Sequence, residues 1–346
     1  MLNLYNYIKS NVVKNVYLKN LWRIKEYNEY QHFLSRLSIV DKTVKVNKEI
    51  YRVKIDELKR IIASNPNETW ELAREQDNNG YLKELSKYIT PDIKFYIHYC
   101  RIFDNLNILR RNNIDFDFES VKHFFNDEIV EKMCNISYNE TLRELEGTIC
   151  VNGIGYLLPF IDSYISEKSR KIVLKTFVDL YSFYANKCEK SGFINRNYVY
   201  GLTHCVIDIS DFYKKDVYEQ IKIFLDKIEI EDLYIRTIHI INKYIKSSIE
   251  SKSELNIKDI KSDMIAELLV VYKLLVKNHE NEKFIYEYGN YINLAYQELC
   301  RRVDIKYNYI RDHKDDDFAI DLKINEHTNI LFILFSRLWK HYTKAY

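Results

Sequence analysis

Asn197-Tyr-Val-Tyr-Gly-Leu-Thr-His-Cys-Val-Ile-Asp-Ile-Ser-Asp211 reads as one helix that carries a stripe of polar groups. Tyr200, His204, Asp208 and Asp211 are spaced by four, four and three, which places them on one helical face. Val199, Leu202, Cys205, Val206, Ile207 and Ile209 occupy the other faces, so the segment is apolar nearly all round. A helix of that kind is a buried one. It implies a core built of helices, and it puts an imidazole in that core with a carboxylate one turn away.

Outward from this stretch the same period recurs. Helical spacing of apolar residues predicts helices over residues 4–21, 22–39, 50–63, 92–111, 117–134, 139–160, 167–187, 217–227, 231–249, 257–276 and 282–301. A last helix is expected from Asn325 to Tyr342, after an irregular, charged stretch from Asp304 to Ile324. Seven Gly and three Pro among 346 residues are too few for the turns of an all-β fold. The punctuation that exists is helical. Thr90-Pro91 is an N-cap followed by proline at the first helical position, and Asn67 or Ser64 can cap the helix after Pro66. Asn112-Asn113 stops the helix before it, and Asp77-Asn-Asn-Gly80 is a turn. Gly147, Gly153 and Gly155 lie inside an apolar segment, where they let another backbone or a ligand approach closely.

The reading is therefore all-α, with about fourteen to sixteen antiparallel helices arriving in pairs. No repeat period of the tetratricopeptide or ankyrin kind is visible, which leaves an α/α-toroid-like fold or an irregular α-solenoid. Residues 1–90 are more polar and more punctuated and form an expected N-terminal helical subdomain, with 91–346 as the main α/α helical domain.

Charge and cysteine usage exclude some classes of function. Fifty-two basic side chains against fifty acidic ones give a formal charge of +2, without the basic excess of a dedicated nucleic-acid binder. The six cysteines form no CxxC pair, which argues against a structural zinc site and for reduced thiols. Lysines interrupt every apolar run of the first twenty residues, and the longest run, Ile330–Phe335, is far short of the roughly twenty residues of a spanning helix. The expectation is a cytoplasmic, soluble chain with no membrane partner.

Two stretches could carry chemistry. In the first, Asp208 one turn from His204 can fix the imidazole tautomer and raise its basicity, as a general base needs, with Tyr200 and Thr203 beside it. The bland alternative is a buried His satisfied by Asp208 or a backbone carbonyl, with Asp211 in solvent at the helix end. In the second, Asn325 caps the last helix, Glu326 suits its positive end, and His327 and Asn329 project near free backbone N–H groups. His98 and Cys100 are two apart on a helix and make a poor metal pair, and the acidic run Asp315–Asp317 reads as solvated. No metal or other cofactor is called for, and no phosphate loop, Gly-x-Ser-x-Gly or His-Glu-x-x-His is present.

Tyr200-Gly-Leu-Thr-His204 and Glu326-His-Thr-Asn329 resemble short motifs of an uncharacterised bacterial all-helical family of unknown function. The resemblance runs from about Leu142 to the C-terminus. It implies an α/α-toroid-like fold with both motifs facing a common cavity, and it brings no catalytic assignment. Two functions stay open. One is an enzyme in which His204, Asp208 and His327 act as general acid–base groups on a small polar, peptide or sugar-like substrate, held by Tyr200, Thr203, Glu326 and Asn329. The other is a non-catalytic helical scaffold that binds a protein or peptide partner.

Overall fold

The computed structural model describes residues 48–76, 82–191, 195–215, 217–224, 227–250, 256–276, 282–304, 309–310, 328–329 and 331–336. The fold is all-α, as expected. Its elements are α1 (Lys48–Ala63), α2 (Pro66–Gln76), α3 (Leu82–Leu85), α4 (Pro91–Arg111), α5 (Asp127–Ile136), α6 (Glu140–Leu145), α7 (Gly147–Gly155), α8 (Glu167–Ser191) and α9 (Arg196–Ile209). They continue with α10 (Val217–Phe224), α11 (Lys227–Ile249), α12 (Ser262–Leu275) and α13 (Glu282–Arg301). Residues 328–329 and 331–336 are helical, and one two-residue pairing, β1 (Val303–Asp304) with β2 (Tyr309–Ile310), is antiparallel. The expected helices over 4–21 and 22–39 and the turn at Asp77–Gly80 lie outside the described residues. No helix among the described residues is long and apolar enough to cross a membrane.

The described residues form two compact units. One holds residues 48–212 with Gln220–Leu233; the other holds Tyr213–Glu219 and the residues from Tyr234 onward. This division falls elsewhere than the boundary read at residue 90. α1 and α2 both pack on α4, so the punctuated N-terminal stretch that is described belongs with the helices that follow it.

Helix ends in the first unit follow local chemistry. Asn65, rather than Asn67 or Ser64, caps α2: its Oδ1 accepts from the N–H groups of Asn67 and Glu68, at 2.9 and 3.1 Å. The Glu68 carboxylate accepts the Asn65 N–H in return, which closes a capping box. Thr90 caps α4 as expected, with Oγ1 3.2 Å from Ile93 N. Expected single helices break where a better cap intervenes. Asn126 caps α5 after a 3₁₀ turn over Glu119–Phe125, and Asn139 caps α6.

α7 is the centre of this unit. Nine residues long, it packs on α4, α8 and α9. Its glycines let it do so. A Cβ on Gly147 would strike the Asn197 carbonyl of α9, and one on Gly153 would strike the Tyr96 ring of α4. The close approach foreseen from the glycines is thus made by backbone and packed side chains. Rings of Phe103, Phe125, Phe160 and Tyr164 continue the core beside it.

In the second unit every residue of α12 is buried. α12 packs on α13, whose Tyr296 ring stacks on Phe332 at 5.5 Å and 5°. Arg302, just after α13, is 4 % exposed and donates five hydrogen bonds. They go to the carbonyls of Ile257, Lys258 and Ile260, the Ser262 hydroxyl and the Glu298 carboxylate, so one guanidinium ties the turn before α12 to α13.

Candidate functional site

His204 owes its position to the pairing of α9 with α7. The contacts advance together along both helices: Gly147 lies at Asn197 and Gly201, Asn152 at His204, and Gly155 at Asp208. The two helices therefore run in the same direction, with the 25-residue α8 as the return between them. Asn152 and Gly155 are three apart on α7, and His204 and Asp208 are four apart on α9, so each pair shares a face.

The group on His204 Nδ1 is the Asn152 side chain, with Oδ1 2.9 Å away. An amide oxygen accepts only, so this pairing puts an imidazole proton on Nδ1. Sequence spacing had given that orienting role to Asp208. The structure instead sets the Asp208 carboxylate against Gly155, where a Cβ would collide with it, and buries it to 2 % exposure. From there its charge adds to burial in pushing the Tyr96 hydroxyl and the Cys100 and Cys205 thiols up from their ordinary pKa values. The signal for Asn152 was an amide in an otherwise apolar run, Cys150–Ile154, beside glycines.

The rest of the expected stripe divides. Tyr200 and His204 are half-buried. The Arg196 guanidinium stands 4.8 Å from the centre of the Tyr200 ring. Thr203 is buried and its hydroxyl donates to the Tyr200 carbonyl at 3.1 Å. Asp211 is not on the helix at all. α9 ends at Ile209, and the N–H groups of Asp211 and Phe212 return to the carbonyls of Asp208 and Ile207. This is a Schellman ending in which Asp takes the left-handed position usually given to Gly, with φ 50°. Phe212 and Tyr213 follow with φ 53° and 71°. Far from being in solvent, Asp211 is 3 % exposed and accepts from Arg110 Nη2 at 2.5 Å, while Arg111 lies 4.1 Å over the Phe212 ring. Its work is to tie the end of α9 to the end of α4.

Near the start of α9 the Tyr198 hydroxyl donates to Glu144, and Lys187 Nζ lies 2.7 Å from the same carboxylate. Burial would raise the Glu144 pKa, but Lys187 and the Tyr198 hydroxyl outweigh it and hold the carboxyl below its ordinary value. His98 is buried, with Nδ1 2.7 Å from Thr69 Oγ1. Among the described residues no group of three His, Cys, Asp or Glu could hold a metal ion.

Of the second candidate stretch, Glu326 and His327 lie outside the described residues. Asn329 is fully buried. Its Oδ1 accepts from Ile310 N at 2.8 Å and its Nδ2 donates to Ile310 O at 2.9 Å. The amide pairs with β2 as a neighbouring strand would, which is a structural use of the side chain where a ligand contact was expected. Comparisons with protein-family models, with curated proteins and with solved structures found no match.

Proposed function

We propose that the chain is an enzyme in which His204 acts as general acid–base on a small polar, peptide or sugar-like substrate, with Asn152 as the residue that positions it. The 2.9 Å contact between His204 Nδ1 and Asn152 Oδ1 supports this reading. With a proton held on Nδ1, Nε2 of this half-buried imidazole is the atom that acts as general base in this reading. In this reading the charge of Asp208, four residues on along α9 and 2 % exposed, favours the imidazolium formed in such a step. Tyr200, one turn before His204, is the substrate-contacting side chain of this reading. All six cysteines are unpaired thiols, which fits a reducing cytoplasm.

The test is turnover of a panel of chromogenic peptide, ester and glycoside substrates by the wild type, His204→Ala and Asn152→Ala. The expected result is a loss of about a hundredfold or more in His204→Ala. Asn152→Ala should lose less and should shift the acid limb of the pH profile, a change that mere loosening of the fold would not produce. A wild type that turns over nothing, or a His204→Ala protein as active as the wild type, would favour the helical scaffold that binds a protein or peptide partner.

A further inference from the structure

The second unit contains a cleft of about 370 Å³ lined by His239, Lys243, Lys246, Ser247, Glu250 and Tyr288. The first four lie on α11, at intervals of four, three and one, so they follow one face of the helix; Glu250 directly follows α11, and Tyr288 comes from α13. A volume of this order suits a small ligand.

The charges in this cleft are unevenly satisfied. Among the described residues no carboxylate lies within ion-pair distance of Lys243 or Lys246, and the Lys246 ammonium stands 5.3 Å from the centre of the Tyr291 ring. Glu250 is the one acid of the lining, and it already accepts the Tyr291 hydroxyl at 2.6 Å. The Ser247 hydroxyl donates to the Tyr244 carbonyl at 3.0 Å, so its proton is committed within α11 and the two ammonium groups are the donors left to an anion. Two ammonium groups one turn apart, neither in an ion pair with a described carboxylate and with Glu250 as the one acid of the lining, leave the lining with more positive than negative charge, and a dianion can engage both at once. Lysine serves phosphate as a point charge, and the Tyr288 ring offers a flat apolar wall for whatever carries that phosphate.

We propose that this cleft binds a small, soluble phosphate monoester, with the phosphate between Lys243 and Lys246 and the organic group against Tyr288. The cleft belongs to the other unit than His204, and the proposal does not depend on the catalytic role of His204.

Calorimetric titration of the full chain with inorganic phosphate, phenyl phosphate and benzoate tests it. Phenyl phosphate should bind more tightly than inorganic phosphate, and benzoate at least about tenfold more weakly than phenyl phosphate. Lys243→Ala and Lys246→Ala should each weaken phenyl phosphate by about tenfold, and added salt should weaken it in the wild type. Glu250→Gln should tighten it, because the opposing charge of the lining is gone. Lys243 is exposed and Lys246 half-buried, and a matching thermal transition verifies that each variant keeps the fold. Absence of saturation at millimolar phenyl phosphate would overturn the proposal. So would equal binding of benzoate, or an affinity unchanged in the two lysine variants.

Discussion

His98 is buried against the Thr69 hydroxyl, and burial lowers its pKa from 6.5 to about 4. Between those two values the unfolded chain takes up a proton that the folded chain refuses. Stability should therefore fall as pH drops through 6.5 and level off below about 4, where the folded imidazole also protonates. Urea midpoints measured across this window should fall in the wild type and stay nearly flat in His98→Gln down to pH 4.5. Below that, Glu57, Asp127 and Glu144, whose pKa values are lowered, begin to contribute their own loss. A wild-type curve as flat as the variant's would show that His98 is protonated in the fold. At this scale the sequence was half legible. Spacing on one helix shows which residues share a face but not what the next helix brings to that face. Asn152, 52 positions away, could not be matched to His204 without the packing of α7 on α9. Asp211 was misread for a different reason: Asp rather than Gly holds the left-handed position, so nothing in the spelling marked the helix end.

Helices were more legible than contacts, because their period depends only on neighbours three and four apart. α1, α4, α8 and α13 begin and end within a few residues of where the apolar pattern put them. The failures came at Asn126 and at Glu146, where the apolar run continues but the chain turns and a new helix begins. α7 shows how packing overrides propensity. Gly153 is inside a helix, where alanine normally gains about 1 kcal/mol over glycine. Here an added methyl would enter the Tyr96 ring, whose hydroxyl is anchored on the Cys150 carbonyl at 2.5 Å and cannot withdraw without giving up that bond. Gly153→Ala should accordingly destabilise by about 2 kcal/mol or more, read from chemical denaturation. Combining it with Tyr96→Leu should cost less than the sum of the two single changes. Strict additivity would mean that the methyl is accommodated elsewhere.

For the molecule as a whole, thiol chemistry reports on integrity, because five of the six cysteines are buried in the first unit and Cys300 is the half-buried one. Burial also pushes the Cys134, Cys150 and Cys188 thiols up to about 12, which removes the thiolate that reacts. A disulfide reagent should find at most one reactive thiol in the native chain, and all six after denaturation. With increasing urea the five of the first unit should appear in a single step; stepwise appearance would show that this unit is not cooperative. In the second unit, Arg302 has used all five of its N–H groups on five different oxygens. In the genetic code an arginine triplet becomes a lysine triplet by one base, and lysine has three donors on a single nitrogen. The exchange keeps the charge, yet at least two of those five oxygens would lose their donor, which makes a charge-conserving change of one base a structural lesion at this position.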